Sequence, residues 1–82
     1  MKTKHLNRLS EIPVGTDCII HDIQSQPETR QRLREIGFNE NAIIHMVVKN
    51  SSQLICEVHN TRIGMHRRIA NDIVIKPAEI QS

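Results

Sequence analysis

The chain has 82 residues and a formal net charge of +2, enough for one small domain and too short for an enzyme with separate cofactor and substrate lobes. Apolar residues make up 38 %, too many for a disordered tail, and no apolar run approaches the roughly 20 residues of a membrane helix. The two cysteines, Cys18 and Cys56, lack CxxC spacing and the density of a disulfide scaffold, which fits free thiols in a reducing compartment. No apolar segment follows the charged start Met1–His5, so no signal peptide is expected and the expected location is cytoplasmic.

The apolar residues are mostly β-branched: 13 Ile and 5 Val stand against 4 Leu, and Phe38 is the one aromatic. Such side chains fit pleated sheets and lose χ1 freedom in helices, so the composition argues for a mainly β fold. With a single aromatic, no Trp or Tyr to stack bases and little net positive charge, a nucleic-acid partner is not expected.

In chain order, Leu6–Leu9 is an edge segment or a single turn packing on a barrel mouth, and Pro13-Val14-Gly15-Thr16 reads as a turn. A first strand follows from Asp17 to Ile23; its inward face stays open, because Cys18/Ile20 and Ile19/Ile23 are both apolar. Ser25-Gln26-Pro27 opens the one convincing helix, with Pro27 in the first turn, Glu28 at the positive end of the dipole and Glu28–Arg32 at i,i+4 spacing. Thr29, Leu33 and Ile36 share a face, while Arg30, Arg32 and Arg34 lie largely off it. Gly37 ends the helix at C′, which makes Phe38 C″ and Leu33 C3, the apolar pair of a Schellman cap.

From Ala42 the period becomes two. Ala42, Ile44, Met46 and Val48 alternate with Ile43, His45 and Val47; after a turn at Asn50-Ser51-Ser52, Leu54, Cys56 and Val58 alternate with Ile55, Glu57 and His59. The pattern predicts a hairpin with even-numbered residues inward. His45 then faces Glu57 if Val48 pairs with Leu54, or His59 if Val48 pairs with Cys56. A tight turn at Asn60-Thr61 leads to a strand through Ile63 and Met65, a helical turn Arg67–Ala70 closed by Asn71, and a last strand Ile73–Ile75 ended by Pro77. About five short strands with one short helix inserted after the first describe a small closed barrel of the SH3 type, a single domain with its core over residues 6–76.

With these landmarks placed, the chain resembles the FeoA family. The resemblance rests on Leu6 and Leu9, Pro13-Val14-Gly15, Arg32-Leu33-Arg34-Glu35-Ile36-Gly37-Phe38, the hairpin, Arg62-Ile63-Gly64-Met65 and Ile69–Ile75. Where that family has glycine after the helix and between the third and fourth strands, this chain has Asn41 and Asn60, the non-glycine residue that best tolerates positive φ. Glu40 and the short Asn50-Ser51-Ser52 loop also depart from the pattern. The resemblance implies a non-enzymatic cytosolic accessory of ferrous-iron uptake that contacts the cytosolic region of a FeoB-type membrane transporter without itself inserting in the membrane. The alternative it implies is a metal-responsive regulatory module related to the C-terminal SH3-like domain of iron-dependent repressors.

The residues carrying chemistry are few. Five histidines (His5, His21, His45, His59, His66) show no HxH or HxxxH spacing, so no metal site is expected beyond weak divalent binding by His45 with His59 or Glu57 on the hairpin's outer face. Cys56 reads as core filler. Arg30, Arg32 and Leu33 on the helix, with Arg67 and Arg68, are the candidate partner-binding residues; Gly15, Gly37, Phe38, Asn41 and Asn60 are the structural ones. No cofactor is expected. No paired carboxylates, phosphate loop or Ser/His/Asp arrangement is present, so no catalytic residue is expected either.

Overall fold

The β-branched runs pair into one antiparallel sheet in the computed structural model, which describes residues 7–78; Leu6 and His5 lie outside the described residues. The strands are β1 (Asn7–Arg8), β2 (Asp17–Ile23), β3 (Ile43–Lys49), β4 (Gln53–Val58), β5 (Thr61–His66) and β6 (Ile73–Pro77), in the spatial order β1-β6-β2-β3-β4-β5. A 3-10 turn covers Leu9–Glu11, helix α1 covers Pro27–Glu35 and the single turn α2 covers Arg67–Ala70.

The barrel differs from the expected one in two ways. It has six strands rather than five, because Asn7 and Arg8 pair with Ile75 and Val74. The ladder is also open: β1 and β5 are its two ends and share no backbone bonds. Side chains span part of that gap. Lys49 Nζ donates to the carbonyls of Ser10 (3.2 Å) and Ile12 (2.9 Å). Arg67 donates to the carbonyls of Asn50 (2.9 Å) and Ser10 (3.5 Å), and the Ser10 hydroxyl donates to Asn71 Oδ1. These bonds satisfy carbonyls of the 3-10 segment that no strand reaches.

Two bulges settle which side chains are inside. A register shift between Ile20 and Asp22 lets Cys18 and Ile20 point inward before it and Ile23 after it, so both candidate faces of β2 contribute to the core. A second shift between Met46 and Val48 corrects the hairpin reading: Val48 pairs with Ile55 and is 44 % exposed instead of inward. His45 faces Glu57. Ile44, Met46, Leu54, Cys56 and Val58 do point inward and join Leu9, Phe38, Ile73 and Ile75 in one buried cluster.

Helix α1 begins with Pro27, whose missing N–H costs nothing at that position. It ends in the full Schellman pattern: Phe38 N–H donates to Leu33 O (2.9 Å) and Gly37 N–H to Arg34 O (3.1 Å), with Gly37 at φ +110°. The Glu28–Arg32 ion pair is not formed. The acid that α1 engages is Glu40, which accepts from Arg34 at 2.9 Å. Its own backbone amide, and after it the Arg34 guanidinium, hold the Glu40 carboxyl below its ordinary value. The other turns place left-handed residues where their geometry needs them. Gly15 has φ +88° in the turn closed by Thr16 N–H to Pro13 O, Asn41 has φ +75°, and His59 and Asn60 have φ +52° and +65°. Two consecutive positive φ values in a two-residue loop are the type I′ pattern, whose twist matches that of the flanking strands.

Candidate functional site

Helix α1 and strand β5 form the two walls of a shallow groove. Arg32, Leu33 and Ile36 come from the helix; Ile63, Gly64 and Met65 come from the strand, with Ile69 of α2 closing one side. Leu33 is 6 % exposed and makes the floor, while Ile36, expected to share its buried face, is 44 % exposed. The groove continues past Thr29 and His66 into a more polar depression bordered by Gln26, Arg68 and Asp72. Across both parts, Arg32 and Arg68 are the guanidinium groups and Asp72 is the one carboxylate.

The residues named from sequence divide in the structure. Arg32 stands on the groove rim, Leu33 lies beneath it, and Arg68 borders the polar end. Arg30 lies on α1 away from the groove, half-buried. Arg67 lies outside the groove lining, and its guanidinium donates to the carbonyls of Asn50 and Ser10. The groove residues that sequence reasoning missed are Ile36, Ile63, Gly64 and Ile69. Nothing in a period-two or period-3.6 pattern says that a strand is the last of its sheet, and that position is what exposes them.

The histidines do not converge. His45 Nδ1 donates to the carboxylate of Asp17 across β2 and β3, and on its other side His45 faces Glu57. His59 is corrected from the outer strand face to the β4–β5 turn, where its ring lies against Gly37. His21 and Asp22 are exposed on β2. Among the described residues no group of three or more His, Cys, Asp or Glu is placed to hold a metal ion.

Cys18 and Cys56 are free and buried. Burial pushes both thiols from about 9 up to about 12. The fold therefore favours the protonated thiols. That contribution is complete below pH 9 and is lost as pH rises from 9 towards about 12, because the unfolded chain ionises first. A thiol-specific reagent at pH 8 is expected to modify neither cysteine in the folded protein and both in denaturant. Fast labelling of either in the folded chain would contradict this.

The FeoA domain model matches residues 7–77. No curated protein matches the chain. Among solved structures, the chain is similar to Stenotrophomonas maltophilia FeoA complexed with zinc, described as an SH3 domain protein. The identity is 28 %, 84 % of this chain and 88 % of that one are covered, and the TM-score is 0.76. It is similar to FeoA from Chlorobium tepidum at 18 % identity, covering 92 % and 73 %, with a TM-score of 0.80. A manganese-dependent transcriptional repressor in complex with manganese shares the fold at 11 % identity and a TM-score of 0.83, over 93 % of this chain but 38 % of the repressor. The open barrel is thus the SH3-like one shared by these proteins, and the match over residues 7–77 establishes that the chain belongs to the FeoA domain family.

Proposed function

We propose that this protein is a non-enzymatic, cytoplasmic accessory of ferrous-iron uptake, acting by contact with the cytosolic region of a FeoB-type transporter. Family membership supports the process, and the Stenotrophomonas relative has been suggested to act as a ferrous iron transport activating factor. The observation that carries contact as the mode of action is the α1–β5 groove: apolar Ile36 is 44 % exposed beside Arg32, above a floor of Leu33. An apolar floor with a charged rim is the anatomy of a protein-binding surface. No helix among the described residues is long and apolar enough to cross a membrane.

Binding of the purified protein to the cytosolic region of its cognate transporter tests this. Arg32 makes no ion pair within the described chain, so Arg32→Glu is expected to leave folding unchanged and weaken binding by about fivefold or more, mostly through slower association. Equal affinity and equal iron uptake for wild type and variant would remove the groove rim from the interface.

The second reading, a metal-responsive regulatory module, draws on the likeness to the manganese-bound repressor. It predicts that ferrous or zinc ion shifts the His45 NMR signals at micromolar concentration. Diffuse broadening at millimolar concentration would count against it, since His45 and Glu57 supply two ligands and a specific site needs three or four.

A further inference from the structure

The groove runs along the edge of the sheet rather than over either of its faces. Residues of both parities of β5 line it: Ile63 and Met65, which point inward opposite Cys56 and Leu54, and Gly64 and His66, which point outward opposite Ile55 and Gln53. A surface bordered by consecutive residues of one strand is bordered by that strand's backbone.

The hairpin geometry says which backbone groups are there. The two-residue β4–β5 loop makes Val58 and Thr61 a mutually hydrogen-bonded pair. Counting from it, Ile63 and Met65 also bond to β4, while Arg62 and Gly64 aim both N–H and C=O at the open side and His66 aims its N–H there, its carbonyl opening the α2 turn as the N-cap. β5 is the end strand of the sheet, so no strand pairs with it on that side. The edge is also unprotected. β5 has six residues, no proline and no register shift, whereas the opposite edge, β1, has two residues. Proteins normally blunt such an edge with a bulge, a proline or a cover. Gly64 adds a second observation. Its φ is not in the left-handed region, and a Cβ there would meet nothing closer than 4.0 Å. The fold does not require glycine at this position, and its effect is to leave the middle of the open edge uncovered.

We infer that β5 receives an extended segment of the partner as an added strand, with apolar side chains set on Leu33 and Ile36 and acidic ones near Arg32 and Arg68. The charge follows from what lines the slot: Arg32 and Arg68 against Asp72 alone. Main-chain bonds to Gly64 supply affinity and alternate side chains supply selectivity, as in other strand-addition complexes. This deepens the transporter-contact reading and rests on it.

The test uses the whole protein and the cytosolic region of the transporter as the probe, with amide exchange and affinity read together. On complex formation the amides of Arg62, Gly64 and His66 are expected to become protected. Gly64→Pro removes the outward N–H without touching a bond to β4, and is expected to raise Kd about tenfold or more. Gly64→Ala keeps that N–H and adds only a Cβ that meets nothing closer than 4.0 Å, and is expected to raise Kd by less than Gly64→Pro does. A complex in which those three amides exchange as freely as before, or one that Gly64→Pro forms as well as wild type does, overturns strand addition and leaves the transporter reading intact. Absence of any wild-type complex overturns the transporter reading and this inference together. Protection of the same amides in the protein alone, rising with its concentration, assigns the edge to a second copy and also overturns it. The exchange measurement is made on wild type, so it decides even if Gly64→Pro folds poorly.

Discussion

Gly37→Val will destabilise the protein by about 3 kcal/mol or more, seen as a fall in Tm on the order of 15 °C. Two separate costs combine. At φ +110° a β-branched residue is held in backbone space that L side chains rarely adopt. A Cβ at this position would also lie 2.8 Å from Cδ2 of His59, so the imidazole has to shift to admit it. The two costs can be separated. His59→Gly suits the turn and deletes the ring, so Gly37→Ala in that background should be milder than Gly37→Ala alone, by about 1 kcal/mol in a double-mutant cycle. A Gly37→Val protein melting within about 3 °C of wild type would mean that α1 can end elsewhere. That matters for function, because the Schellman cap fixes where Leu33 and Ile36 stand and therefore the helical wall of the groove.

Gly37 is also the clearest case of what the sequence made legible. A helix opened by Pro27 and closed by Gly-Phe leaves one consistent capping geometry, and the cap bonds from Phe38 to Leu33 and from Gly37 to Arg34 have that geometry. Strand positions were legible for the same reason: alternation along Ile44–Met46 and Leu54–Val58 has one inward solution. Where reading failed, the cause was a local event that carries no periodic signature. The bulges at Ile20/Asp22 and Met46/Val48 each shift the register, turning Val48 outward and letting β2 bury residues of both parities. Arg67 reads as a surface charge because sequence cannot show that the carbonyls of Ser10 and Asn50 lie within its reach. The site was legible in half. Arg32 and Leu33 mark the helical wall, but the opposing wall exists only because β5 is terminal in the sheet, and spatial order is a tertiary property.

Phe38→Ala is expected to remove most of the folding free energy. Phe38 is the one aromatic of the chain, it is 0 % exposed, and it belongs to the single buried cluster on which every strand but β1 draws. Truncating a buried phenylalanine to alanine costs about 3–5 kcal/mol. A domain of this size has a total stability on the order of 5 kcal/mol. Among the described residues there is neither a disulfide nor a second core to absorb the loss. The variant should therefore lose its cooperative urea transition and its slowly exchanging amides while keeping some far-UV circular dichroism, as a loosely packed sheet does. Phe38→Leu supplies the control, since a volume-near apolar replacement should cost about 1.5 kcal/mol and keep cooperativity. Because the chain has no Trp or Tyr, intrinsic fluorescence cannot follow this, and amide exchange is the measurement of choice. A cooperative Phe38→Ala protein within about 1 kcal/mol of wild type would show that Ile and Val side chains repack into the vacated volume, and that the aromatic is not what anchors the end of α1 to the sheet. If the loss is as large as expected, partner binding by Phe38→Ala should disappear along with the cooperative fold, although its ring takes no part in the groove. Binding defects at this position would then report on how α1 is seated and not on direct contact.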